Sequence, residues 1–157
     1  MRPARRGRRL LKDVTMVRIC AQCGQQNRVP VKHLADTGRC GNCKSPLAPL
    51  AEPLDAGAEE LDGVLKEARV PALVDFWAAW CGPCRMAAPA VKQVAQQMAG
   101  RALVLKVDTE RHPELAARYQ VQGIPHFLVL SNGQVHSAQS GLVGAPQMVR
   151  WLEAAGA

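Results

Sequence analysis

Long hydrophobic runs are missing from this 157-residue chain. No apolar stretch approaches the roughly 18 residues of a membrane-spanning helix, so no membrane span is expected. Aromatics are scarce, at three Trp, two Phe and one Tyr, and none falls among the arginines of the first 18 residues. A basic arm without stacking groups is poorly suited to bases, so nucleic acid is not an expected partner. An export signal is incomplete. Arg8-Arg9-Leu10-Leu11-Lys12 echoes a twin-arginine motif, but Asp13, Thr15 and Arg18 interrupt the apolar stretch of about 7–15 residues that should follow. Most of the chain also lacks net charge. Of the overall +7, residues 1–18 carry +6 and the other 139 residues only +1. The basicity is therefore a tail. Residues 1–15 are expected to be a disordered basic extension, or a product of a start placed ahead of Met16. A charged fraction of 21% argues against wholesale disorder, and the length suits one domain with a small appendage.

Periodicity organises the remainder. Residues 16–45 hold two short cysteine turns and little apolar content. Residues 46–57 include Pro46, Pro49 and Pro53 and are expected to be a stiff linker or one edge strand. Leu61, Val64, Leu65 and Ala68 predict a first helix over 59–68. Ala72–Trp77 and Ala102–Val107 are apolar runs of strand type, separated by a helix over 84–98 whose Pro89 should kink it. That order predicts a right-handed βαβ unit with parallel strands. A helix near 112–119, a strand at 127–130 and a hairpin turn at Ser131-Asn132-Gly133 follow, and Pro146 opens a terminal helix. The expected architecture is an α/β fold with a mixed central sheet flanked by helices.

Trp80-Cys81-Gly82-Pro83-Cys84 stands where a strand hands over to a helix. A Cys-x-x-Cys pair beside a βαβ unit reads as a redox pair. At a helix N-terminus the first sulfur meets unpaired N–H groups and the positive end of the dipole, and both favour thiolate. Cys81 is thus expected to attack a substrate disulfide and Cys84 to resolve the mixed disulfide. A structural disulfide or half a metal site is the bland alternative. Asp75 interrupts an apolar strand, so its carboxylate is expected in a dry interior, where burial raises its pKa and makes it a proton acceptor near neutrality. A surface aspartate on an edge strand is the alternative. Phe76, Trp77 and Trp80 lie within five residues of Cys81, an apolar surround suited to extended protein segments.

The chain from about residue 54 onward resembles thioredoxin. The resemblance rests on Val74-Asp75-Phe76-Trp77-Ala78, Trp80–Arg85, Lys106-Val107-Asp108, Gly123-Ile124-Pro125, Asn132–Val135 and Gly141. It implies a thioredoxin fold over 54–157 and a Cys81–Cys84 redox disulfide, with Trp80, Gly82 and Pro83 forming the active-site loop. It also implies that Asp75 helps Cys84 lose its proton, with Lys106 nearby tuning the pKa. Ile124-Pro125 would be a cis peptide packed against the disulfide. Trp80, Ile124, Pro125, His126 and Gly141 are then the candidate substrate-binding residues. His126 departs from the threonine usual in the family. Either it acts beside the thiols, or it is a tolerated, partly exposed residue.

Cys20-Ala-Gln-Cys23 and Cys40-Gly-Asn-Cys43 lie 16 residues apart. Paired Cys-x-x-Cys turns at such spacing predict a four-thiolate zinc ribbon, with Gly24 and Gly41 easing the turns. Two disulfides, or iron in place of zinc, are the rivals. A module of about 30 residues cannot bury a sufficient core, so a metal that supplies folding energy is physically sensible. A ribbon ahead of a thioredoxin domain resembles the zinc-binding bacterial members of the family, of the thioredoxin 2 type.

The expected function is reduction of disulfides in cytoplasmic proteins by dithiol–disulfide exchange at Cys81 and Cys84. Thioredoxin reductase is the expected partner that recharges the pair. No Gly-x-Gly-x-x-Gly fingerprint is present, so no organic cofactor is expected; one structural zinc ion is. A monomer is expected. Two readings compete: a redox-sensing or chaperone-like ribbon, and a binding module that uses the basic tail.

Overall fold

The computed structural model describes residues 13–157; the basic stretch at residues 1–12 lies outside the described residues. Two antiparallel hairpins come first. Strands β1 (Thr15–Ile19) and β2 (Gln26–Pro30) form one, and the two-residue strands β3 (Gly38–Arg39) and β4 (Pro46–Leu47) form the other. A single 3-10 turn, Val31–His33, joins them. Thr15 is already in β1, and Val14 accepts from the backbone of Val31. Ordered structure therefore includes residues 13–15, which the sequence reading grouped with the extension.

The second unit is a five-stranded sheet in the order β5-β7-β6-β8-β9. Its strands are β5 (Leu54–Asp55), β6 (Ala72–Trp77), β7 (Leu103–Asp108), β8 (His126–Ser131) and β9 (Gln134–Ser140). The helices are α1 (Ala58–Glu67), α2 (Gly82–Gln97), α3 (Pro113–Arg118) and α4 (Ala145–Ala154). Strands β5, β7 and β6 are parallel, β8 is antiparallel to β6 and β9 antiparallel to β8, so the sheet is mixed. The proline-rich stretch at 46–57 contributes both β4 and the edge strand β5.

Alternation along β6 explains the two faces of the sheet. Val74 and Phe76 point to one core with Leu61 and Val64 of α1, and Leu73 points to the other with Val91 and Val94 of α2 and Met148 and Leu152 of α4. Helix α2 continues through Pro89. The β8–β9 turn has positive φ at both Asn132 (53°) and Gly133 (77°), as a type I′ hairpin turn requires.

The ribbon is not a separate bead. Met16, Val31, Leu34 and Leu50 belong to the same buried cluster as α1 and the sheet. By contrast, the ribbon's own apolar cluster is only Cys20, Cys40 and Leu47, with Val29 alongside. Close contact at Gly63 of α1 tightens this junction: a Cβ added there would lie 2.8 Å from both Cβ and Cγ1 of Val14. Helix propensity alone would favour Gly63→Ala by about 1 kcal/mol. Overpacking against a branched side chain costs about 1–3 kcal/mol and should win. Gly63→Ala is expected to lower the urea unfolding free energy by about 1 kcal/mol; a gain would mean that Val14 does not pack on α1.

Candidate functional site

Strand β6 ends at Trp77, and four residues later Cys81 caps α2. The cap is sulfur rather than oxygen: the backbone N–H of Cys84 donates to Cys81 Sγ at 3.1 Å. Pro83 occupies the first turn, where a missing N–H costs nothing. Cys81 and Cys84 are joined as a disulfide with Cα atoms 5.3 Å apart. Cys81 Sγ lies 3.7 Å from the carbonyl oxygen of Ile124, which precedes a cis peptide to Pro125. Gly141 N–H donates to the Pro125 carbonyl at 2.9 Å, so that residue braces the loop from β9.

A groove of about 500 Å³ opens beside the disulfide, lined by Trp80, Cys81, Pro83, Val121 and Ile124 among others. Trp80 is 66% exposed, and its indole N–H donates to Glu110 Oε1 at 2.8 Å. Glu110 has no signature in the sequence; it comes from the turn after β7, 30 residues away. The groove wall at Val121 and Gln122 was likewise not legible from spacing.

Asp75 sits beneath this surface with 1% of its area exposed, opposite Lys106 on β7 and Phe127 on β8. Oδ1 has no hydrogen-bond partner. Burial pushes its pKa from the ordinary 3.8 up to about 7, against the pull of the Lys106 ammonium. Lys106 Nζ also lies 4.2 Å above the Trp77 ring centroid, a cation–π contact. His126 is not partly exposed: only 8% of it is accessible. Its ring packs edge-on to Phe76 at 6.0 Å, and Nδ1 lies 2.6 Å from Ser140 Oγ across the β8–β9 pair. Burial lowers its pKa, so it is neutral at pH 7 and brings no positive charge to the thiols.

The ribbon gathers the other four cysteines. Sulfurs of Cys20, Cys23, Cys40 and Cys43 all lie within 4.8 Å of one another, with Cys20–Cys43 at 3.7 Å and Cys23–Cys40 at 3.6 Å. A tetrahedron with metal–sulfur bonds of about 2.3 Å has edges of about 3.8 Å, so the set fits one zinc ion. Each half is the same turn. Gly24 N–H donates to the Cys20 carbonyl and Lys44 N–H to the Cys40 carbonyl, with positive φ at both Gly24 (75°) and Lys44 (64°). Gly41, expected to ease the second turn, does not hold that position. Its N–H instead donates to Asn27 Oδ1 at 2.9 Å, and Asn27 Nδ2 reaches Cys40 Sγ at 3.6 Å. Asn42 supports two sulfurs, through its backbone to Cys40 at 3.4 Å and its amide to Cys23 at 3.6 Å. Donation from the backbone at Cys43 and Asn42 and from Asn27 outweighs burial and brings the Cys40 thiol down to about 6, which suits a thiolate ligand.

Fold and site together define a dithiol–disulfide protein with an appended thiolate cluster. Comparison with known proteins agrees. The thioredoxin family matches residues 54–154, and the region described as thioredoxin 2, N-terminal, a zinc ribbon, matches residues 19–45. Thioredoxin C-3 of Corynebacterium nephridii is 36% identical over 138 residues, covering 88% of this chain and 94% of its own length. Thioredoxin 1 of Chlorobaculum tepidum is 44% identical over 91 residues, 58% of this chain and 90% of its own. Among solved structures, a mutant thioredoxin from Halobacterium salinarum superposes with a TM-score of 0.64 at 32% identity, covering 71% of this chain and 96% of that one. The chain belongs to the thioredoxin family and carries the family's thioredoxin 2 zinc-ribbon region at its N-terminus. It is a thioredoxin-type protein-disulfide oxidoreductase with a Cys-x-x-Cys active-site pair.

The burial of His126 has a measurable sign. A histidine whose folded-state pKa is depressed stabilises the fold above its unfolded value near 6.5, and that contribution is lost as pH falls through the folded pKa. Between pH 7 and pH 5 the urea midpoint of the parent chain is expected to fall relative to that of His126→Thr, since the relief of buried Asp75 is common to both. An identical pH slope in the two proteins would show that the ring is not buried neutral.

Proposed function

We propose that this thioredoxin reduces disulfides of cytoplasmic proteins at Cys81-Gly82-Pro83-Cys84 and is recharged by thioredoxin reductase. The observation that carries the reading is the seat of Cys81: a sulfur at the N-terminus of α2, 3.7 Å from the Ile124 carbonyl, at the edge of an apolar groove. In the reduced form, Cys81 thiolate attacks one sulfur of a substrate disulfide; the second substrate sulfur leaves as thiolate and takes a proton. An extended substrate strand aligns against Ile124 and the cis Pro125 by backbone hydrogen bonds, with Trp80 completing the surround and Gly141 bracing the Pro125 loop. Asp75 accepts the proton of Cys84, whose thiolate then attacks Cys81 sulfur in the mixed disulfide. The substrate departs with both sulfurs reduced, and Cys81–Cys84 is left oxidised by two electrons. Lys106 holds Asp75 low enough to ionise near neutrality, and Gly82 and Pro83 keep the two cysteines one helical turn apart. No helix among the described residues is long and apolar enough to cross a membrane, and a reducing compartment keeps the ribbon thiols free for metal.

Coupled to thioredoxin reductase and NADPH, the chain is expected to turn over insulin, and Cys81→Ser or Cys84→Ser to abolish the turnover. Undiminished turnover in either variant would sink the assignment. Asp75→Asn separates the proton role from folding. Its resolving step should slow about 100-fold near pH 7, the low end of the range for losing a proton-transfer group. Its fold should gain stability. An acid whose folded pKa is raised costs nothing below the unfolded pKa near 4, and the cost grows until the folded pKa near 7. Near pH 8 the gain is expected to approach roughly 4 kcal/mol, and near pH 4 to vanish. Stopped-flow thiol kinetics and urea titrations at the two pH values check both arms.

We also propose one structural zinc ion held by Cys20, Cys23, Cys40 and Cys43, in a chain that works as a monomer. When bound, zinc supplies folding energy that the small ribbon cluster cannot. Metal analysis is expected to give one zinc per chain. Asn27→Ala should weaken zinc about 10–100-fold in chelator competition while leaving insulin turnover intact; unchanged zinc affinity would remove Asn27 from the supporting shell.

A further inference from the structure

The sheet register places a third charged residue in line with Asp75 and Lys106. Asp55 of β5 pairs with Lys106 of β7, and Lys106 pairs with Asp75 of β6. Lateral neighbours in a sheet share a face. The preceding row, Leu54, Leu105 and Val74, faces the core beneath α1, so Asp55, Lys106 and Asp75 emerge on the opposite face, against which α2 packs. The lysine therefore stands between two carboxylates. One is 1% exposed at the centre of the sheet, and the other is exposed on its edge strand.

Neither carboxylate captures it. Lys106 forms no salt bridge among the described residues, and its Nζ lies over the Trp77 ring instead. A hollow of about 280 Å³ opens beside it, with Lys92 of α2 as the other cation and Glu52 as the only acid in the lining. Glu52 also faces Arg18 of β1, so the segment joining ribbon to sheet brings its own anion to the neighbourhood of Lys106. Other charges near the row are few. Asp108, two residues further along β7, has Oδ1 engaged by the Glu110 N–H at 2.9 Å. Strand β8 sets Phe127 opposite Asp75, and the buried residues of α2 and α4 are apolar apart from the disulfide-bonded Cys84.

A shared cation divides its field among its neighbours. Each anion on the outer side of Lys106 draws the ammonium away from Asp75 and adds its own repulsion, and both effects favour the protonated carboxyl. We propose that Asp55 and Glu52 are positioning residues for Lys106, which hold part of its charge at the sheet edge and so keep Asp75 able to carry a proton at neutral pH. The charge sharing stands on the register and the hollow; its use in disulfide exchange rests on the proton role proposed above for Asp75.

The test titrates the Asp75 carboxyl carbon by NMR in the full, zinc-loaded, oxidised chain, where neither active-site thiol ionises. Two strand spacings, about 10 Å, separate Asp55 from Asp75, and a unit charge at that range moves a midpoint by about half a pH unit. Asp55→Asn is expected to lower the Asp75 midpoint by about that much, and Asp55→Asn/Glu52→Gln by more. Asp55→Glu should restore the parent value, and added salt should shrink the difference between Asp55→Asn and the parent. Glu59→Gln, on the helix packed against the other face, should leave the midpoint in place. The pH profile of the resolving step, followed by stopped flow in the reduced proteins, should move with the carboxyl midpoint. A midpoint unchanged in the double variant, raised by it, or lowered equally by Glu59→Gln overturns the proposal. A midpoint that falls while the rate profile stays fixed supports the charge sharing and removes Asp75 from the reaction, so the two readings fail separately.

Discussion

The thiol end of the molecule depends on β6 lying in the middle of its sheet. Parallel pairing with β7 and antiparallel pairing with β8 bring three chain segments to one edge: the turn after β6, the turn after β7 and the loop before β8. The first carries Cys81, the second Glu110 and the third the cis Pro125. Ligands gather outside the carboxyl ends of parallel strands because helices begin there, with N–H groups unpaired. Here the helix N-terminus holds a sulfur. Trp80 is then fixed by Glu110 from the neighbouring strand's turn, and the Ile124 carbonyl stands across from Cys81. None of these contacts survives a one-residue slip of β6, since a slip would exchange Asp75 with Val74 and turn both cores inside out.

Asp75 is where the fold gives up stability, for the proton transfer proposed above. Every other residue of β6 up to Phe76 is apolar and buried, and an apolar residue at 75 would pack at no electrostatic cost. A domain of this size has only about 5–15 kcal/mol of net stability, so a carboxylate pushed up to about 7 consumes a substantial share. That expense is local. It is bounded by Lys106 on the paired strand, whose ammonium also lies over the Trp77 ring. His126 shows the opposite outcome one strand over. With Ser140 on Nδ1 and Phe76 against its ring, it is a polar residue absorbed into the core rather than one presented to substrate.

What the sequence revealed divides by distance along the chain. Local patterns were legible: the strand–helix–strand period, the Asn132-Gly133 turn, the Cys-x-x-Cys spacings and the polar interruption at Asp75 all declare themselves within a few residues. Long-range side-chain partners were not. Glu110 reaches Trp80 across 30 residues and Asn27 reaches Cys40 across 13, and neither pair obeys a period that a reader could count. The second ribbon turn shows how a composition rule misleads. A glycine was available at 41, yet the left-handed residue is Lys44, because the turn places that conformation after its second cysteine. Gly24 holds the equivalent place in the first turn. The boundary between ribbon and sheet was hidden for a similar reason. Met16, Val31, Leu34 and Leu50 are too sparse to announce a core, and they need none of their own, since they complete the core beneath α1.

Charge followed the same logic. Counted along the ribbon, Arg28, Lys32 and Arg39 against Asp36 make a thin patch, and the chain beyond residue 18 is close to neutral. A count cannot tell which charges are already engaged. In the fold Lys32 lies 3.7 Å from Asp13, and Asp36 is held by His33. The Lys32–Asp13 contact removes one cation from that tally. The β1–β2 register then divides the arginines: Arg18 lies opposite Asn27 and Arg28 opposite Val17, so their side chains leave the hairpin on opposite faces. Arg28 shares a hollow with Asp13, Glu59 and Glu60, and Arg18 donates to the Ala48 carbonyl. A near-neutral count here means charges dispersed over two faces, and only the fold shows which face each one occupies.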